Sequence, residues 1–118
     1  MDIQIDFRPS NTAAKVKLQP HEGMVTEAGS MIAMSGNVEL ETSTHQKGKG
    51  GMLSGIKRMF AGESFFLNHY KAKSEPGEVW LAPTLPGDMK HVKLMGQKIV
   101  VQSGSFVLCD ENISLKSI

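Results

Sequence analysis

With 118 residues, the chain is sized for one domain with a modest core, and 40% hydrophobic with 21% charged residues excludes a disordered composition. A formal net charge of +1 excludes a globally basic surface, so an anionic partner would need a local patch. The single cysteine, Cys109, excludes an internal disulfide; it lies in the apolar run Phe106 to Cys109, the setting of a small buried thiol in a reducing compartment.

The first residues, Met1 to Asp6, alternate and are acidic, without the basic and apolar regions of a signal peptide. No apolar run approaches the roughly 20 residues that span a bilayer, and a cytoplasmic protein is expected. Ile3, Ile5 and Phe7 alternate with Gln4 and Asp6, which predicts a half-buried strand ended by Pro9. Ala14, Val16 and Leu18 predict a second strand closed by Pro20. Met24 to Thr26 and Ser30 to Met34 flank Gly29 and read as a hairpin-like pair. Val38 and Leu40 share one face of a short strand over Asn37 to Glu41.

From Thr42 to Gly51 the chain is polar and glycine-rich, which predicts a loop. Leu53, Ile56 and Phe60 then follow helical spacing within Gly50 to Phe66 and predict one short helical turn. Glu63 to Lys73 reads as a long strand of imperfect alternation. Ser74 to Gly77 is a turn by composition. Val79 to Leu81 is a strand stopped by Pro83, and Pro86, Gly87 and Asp88 form another turn. The last third alternates again at Val92 and Leu94, Ile99 to Val101, Phe106 to Cys109, and Ile113 and Leu115.

The last third also overlays the first. At an offset of 75, Gly29, Ser30 and Asn37 fall on Gly104, Ser105 and Asn112. At the same offset Met24 and Val25 meet Ile99 and Val100, and Val38 and Leu40 meet Ile113 and Leu115. A shift of one residue upstream brings Val16 and Leu18 onto Val92 and Leu94. The recurring glycine predicts a bend that needs positive φ or close backbone approach in each unit. The expected organisation is one domain over residues 1–118, with a complete unit of about 1–77 and the start of a second over about 78–118. Such a chain is either part of a longer protein or finished by another subunit, because an incomplete β unit leaves an unpaired strand edge.

The run Gly50 to Phe66, followed by Pro76-Gly77-Glu78-Val79 and by Ala82-Pro83-Thr84-Leu85-Pro86-Gly87-Asp88, resembles the bacterial and archaeal relatives of the altered-inheritance-of-mitochondria proteins. The resemblance spans nearly the whole chain. It implies an all-β fold, a β-sandwich of the double-stranded β-helix kind, grouped with the tryptophan RNA-binding attenuation protein in a TRAP-like superfamily. It implies no defined activity.

The residues themselves suggest no catalytic centre and no cofactor. His21, His45, His69 and His91 form no H-x-H or H-x-x-x-H pair that points two imidazoles at one metal ion. Gly50, Gly55 and Lys57 fall short of a phosphate loop, because Ile56 separates the second glycine from the lysine and Arg58 follows it. Cys109 has no local base, and Ser64 lacks the setting of a nucleophile elbow. The best candidate for contact is basic: Lys47, Lys49, Lys57 and Arg58, with Phe60, in a stretch without acidic residues between Glu41 and Glu63. Such a stretch suits an anionic lipid surface, a nucleic-acid phosphate or an acidic protein patch, as well as a plain solvated loop. The expected function is therefore a non-catalytic scaffold or interaction module that forms a homo-oligomer, with contact to a protein or an anionic membrane as a variant. An RNA-binding module is the first alternative and a metal-dependent enzyme the second.

Overall fold

The computed structural model describes residues 1–43 and 66–116. Eight strands form two antiparallel four-stranded sheets: β1 (Asp2–Asp6), β2 (Ala13–Leu18), β3 (Gly23–Glu27), β4 (Met31–Met34), β5 (Val38–Ser43), β6 (Leu67–Ala72), β7 (Gly77–Leu81) and β8 (Leu108–Asp110). One sheet runs β1-β2-β7-β4 and the other β5-β6-β3-β8. The expected helical turn within Gly50 to Phe66 lies almost wholly outside the described residues; among those described, the helical element is a short 3₁₀ turn over Ser103–Ser105. No helix among the described residues is long and apolar enough to cross a membrane.

Alternation builds the first sheet. Ala14, Val16 and Leu18 are fully buried on one face of β2, while Lys15 and Lys17 point away from the core. Val16 is opposed by Ile3 on one side and Val79 on the other, and Ala14 by Ile5 and Leu81, so one inward row runs across three strands. The second sheet turns Val38, Met24, Tyr70 and Ala72 toward this row, and the two faces make one core. Each buried side chain of this size contributes roughly 1.5–3 kcal/mol over leaving it in water.

Three expectations change. The runs around Gly29 are no hairpin: β3 pairs with β6 and β8, whereas β4 pairs with β7 in the other sheet. Gly29, at φ +88°, instead makes a corner between sheets. Ser30 fixes it, its hydroxyl donating to Glu27 O at 2.7 Å and its carbonyl accepting from Ala82 N at 2.8 Å. Gly104, its counterpart in the overlay, lies in the 3₁₀ turn without positive φ and without a close neighbour. Phe7 does not continue the inward face of β1, because its φ of +62° turns it outward and leaves it 71% exposed.

A fourth change concerns the last third of the chain. Only β8 forms a ladder there; residues 88–102 alternate in sequence but belong to no strand. Alternation marks a segment that suits a half-buried strand, and here the partner is missing from the sheet.

Two predictions follow from the packing. A Cβ added at Gly77 would stand 2.5 Å from Val38 Cγ2 and 3.4 Å from Ala72 Cβ, both in the core. Gly77→Ala is expected to lower stability by about 1–3 kcal/mol in denaturant unfolding, the usual range for overpacking. The Cys109 thiol is pushed up to about 12, by burial and then by the charge of Asp110. Alkylation of the native chain at pH 8 is expected to be about a hundredfold or more slower than that of the urea-unfolded chain.

Candidate interaction surface

The basic candidates Lys47, Lys49, Lys57, Arg58 and Phe60 lie outside the described residues, as does His45. Among the described residues no three or more His, Cys, Asp or Glu side chains gather as they would to hold a metal ion. His21 and His91 are exposed at separate turns and His69 is on β6.

The outer face of the second sheet carries mixed charge in two cross-strand rows. Glu39, Lys71 and Gly23 form one row, and Glu41, His69, Val25 and Cys109 the next. The Glu111 side chain lies over Gly23, close to where a Cβ would project. Together these make a shallow concavity of about 170 Å³. Opposite charges side by side across strands stabilise the sheet surface, and that accounts for the arrangement. On the inner face, Thr42 Oγ1 donates to Asn68 Oδ1 at 2.7 Å and Asn68 Nδ2 reaches the Tyr70 hydroxyl at 3.4 Å. Asn68 and Tyr70 are buried and pair with each other, with the exposed Thr42 capping Asn68, and burial raises the Tyr70 pKa above its ordinary value.

The less ordinary surface is the arch over residues 90–102. Its roots are fixed. Thr12 donates through its hydroxyl (2.5 Å) and its amide (3.2 Å) to Gly87 O. Arg8 grips Asp88 with two bonds of 2.8 and 3.0 Å. The hydrogen bond from Arg8 holds the Asp88 carboxyl below its usual range, so this tie is present above the unfolded-state pKa and is lost as pH falls. Met89 packs on the core. At the other root, Val107 O accepts from Glu27 N at 2.9 Å and β8 joins β3.

Between the roots the arch bonds only to itself among the described residues. Gly96, at φ +98°, makes the bend. Gln97 closes it, accepting from Met95 N at 2.6 Å and donating to Lys93 O at 3.4 Å. The apolar side chains then face water: Met95 is 81% exposed, Ile99 52%, Val100 75% and Val101 53%. Lys90, Lys93 and Lys98 share the arch, and no acidic residue occurs between Asp88 and Asp110. A second open place is β4, which among the described residues has a strand neighbour on one side only; there Ile32 is 59% exposed and Met34 37%. Met34 opposes Val79 and shares its face, yet little covers it at this edge.

Residues 90–102 were present in the sequence as a run of strand-like alternation, and their basic character was equally visible. That they form an uncovered arch follows only from which strands pair.

The chain is 28% identical over 119 residues to an uncharacterized protein, M6_Spy0233, of Streptococcus pyogenes serotype M6 (strain ATCC BAA-946 / MGAS10394), an alignment over 98% of this chain and 48% of that protein. It is similar to the crystal structure of protein SPYM3_0169 from Streptococcus pyogenes, at 25% identity and a TM-score of 0.71, over 92% of this chain and 50% of that one. The chain thus spans about half the length of the relatives it matches. Residues 3–118 match the family described as mitochondrial biogenesis AIM24, and the chain belongs to that family.

Proposed function

We propose that this chain is a non-catalytic interaction module that assembles with copies of itself through open strand edges, within a TRAP-like sandwich of the double-stranded β-helix kind. The observation that carries the reading is the arch: anchored at both roots, it holds Ile99, Val100 and Val101 in water with no hydrogen bond among the described residues. Apolar side chains and free backbone groups side by side are what an added strand covers. A cytoplasmic location is part of the proposal and suits a single thiol held in its protonated form. Lys47, Lys49, Lys57, Arg58 and Phe60 remain proposed contacts for an acidic protein or an anionic membrane.

RNA is a second reading because Lys90, Lys93 and Lys98 add to these cations on the arch without an intervening acid. Its signature would be binding that weakens steeply with salt and disappears when the three lysines become glutamate.

The primary reading is tested by light scattering of the chain at several concentrations. A mass above one chain that persists on dilution into the micromolar range is expected. A mass of one chain at every concentration would contradict self-assembly.

A further inference from the structure

We infer that residues 98–101 of one copy pair with residues 33–36, at the end of β4, of a second copy, antiparallel, with Val100 opposite Met34. This deepens the self-assembly reading and rests on it. The template is a ladder that the fold already contains. β3 takes β8 beside it with Val25 opposite Cys109 and Thr26 opposite Leu108. At the offset of 75, Val25 and Thr26 correspond to Val100 and Val101, while Leu108 and Cys109 correspond to Ala33 and Met34. Replacing each residue by its counterpart turns the observed ladder into Val100 opposite Met34 and Val101 opposite Ala33.

Both members of this second ladder exist in the chain, and neither is paired with the other. Among the described residues β4 is an edge strand and residues 98–101 make no ladder. Their exposure is complementary: Ile32 and Met34 on one side, Ile99, Val100 and Val101 on the other. Joining them would give each backbone the partners that β3 and β8 already give each other, and would set Val100 beside Met34 on one face of the sheet, with Ile99 and Val101 on the other.

The occupant is a second copy because the chain offers both halves of the joint, leaves them unpaired with each other among the described residues, and exposes apolar side chains on each. Each copy's arch reaching the other's β4 gives a closed two-fold dimer, and a one-way arrangement gives a ring. β5 is the competing edge: Glu39 and Glu41 on it would attract Lys98, but its one exposed aliphatic residue is Leu40.

Mixed-chain cross-linking tests the register. In a Cys109→Ser background, chains carrying Met34→Cys are mixed with chains carrying Val100→Cys and oxidised. Residues directly opposite in an antiparallel pair lie about 4.5–5.5 Å apart between Cα atoms, within disulfide range. A covalent dimer joining the two kinds of chain should be the main product, and a Leu40→Cys and Val100→Cys mixture should yield several-fold less. Val100→Asp, at an exposed position, should keep the β-type circular dichroism and reduce the mass to that of one chain. Cross-linking that favours Leu40 would overturn the inference, as would an oligomer insensitive to Val100→Asp, and both would leave self-assembly intact. A native chain that is monomeric throughout would overturn both.

Discussion

The ladder between β2 and β7 is the contact on which the rest of the fold hangs. It joins two stretches far apart in the chain and places Val16 against Val79 and Ala14 against Leu81. β1 adds to its free side through β2, and β4 adds to the other through β7. The inward residues of this sheet then give the second sheet something to close on. Gly77 belongs to the same ladder, opposite Leu18, where Val38 leaves no room for a side chain. On the outer face Trp80 is held by Glu78, its Nε1 donating at 2.8 Å, with Lys15 Nζ 5.4 Å above the ring. These exposed contacts are worth little, and the buried row supplies most of the stability. Because the ladder ends at Leu81 and the chain is then tied down at Gly87 and Asp88, the arch starts from a fixed root.

Much of this was legible in the residues. β2 and β7 each bury one face and β1 half-buries Ile3 and Ile5, so their alternation was a direct reading of the pleat, whereas β5 buries Val38 but leaves Leu40 exposed. The corner at Gly29 was not, because two alternating runs around a glycine look the same whether the chain folds back in one sheet or crosses to the other. The choice depends on β6 and β7, which come much later in the chain. The alternation of residues 88–102 was legible, but it reports only that one face suits burial and is silent about whether a partner is present. The basic residues that stood out, Lys47 to Arg58, fall outside the described structure, while Lys90, Lys93 and Lys98 lie in a stretch whose alternation reads as strand.

The two open places share one cause. β4 and residues 98–101 both need an extended neighbour, and the described chain supplies none. Family members that are about twice as long have residues enough to cover such places from within. In the proposed assembly a second copy does so, and the activity of the module is then the assembly itself, with its lysines available to an anionic partner.

The most direct measurement of the central claim is amide hydrogen exchange at Ile99, Val100 and Val101, followed against protein concentration and compared with Val25 and Thr26 of β3. Paired β3 amides should stay protected at all concentrations. Glu27 N bonds Val107 O, which makes Val25 and Cys109, and by the same register Val100 and Met34, hydrogen-bonded pairs. The Val100 amide should exchange freely when dilute and become protected as the concentration rises, since its partner arrives with another chain, while the Ile99 and Val101 amides point away from that partner and stay open. Protection of Val100 that is already complete at the lowest concentration, or absent where the mass exceeds one chain, would contradict the account.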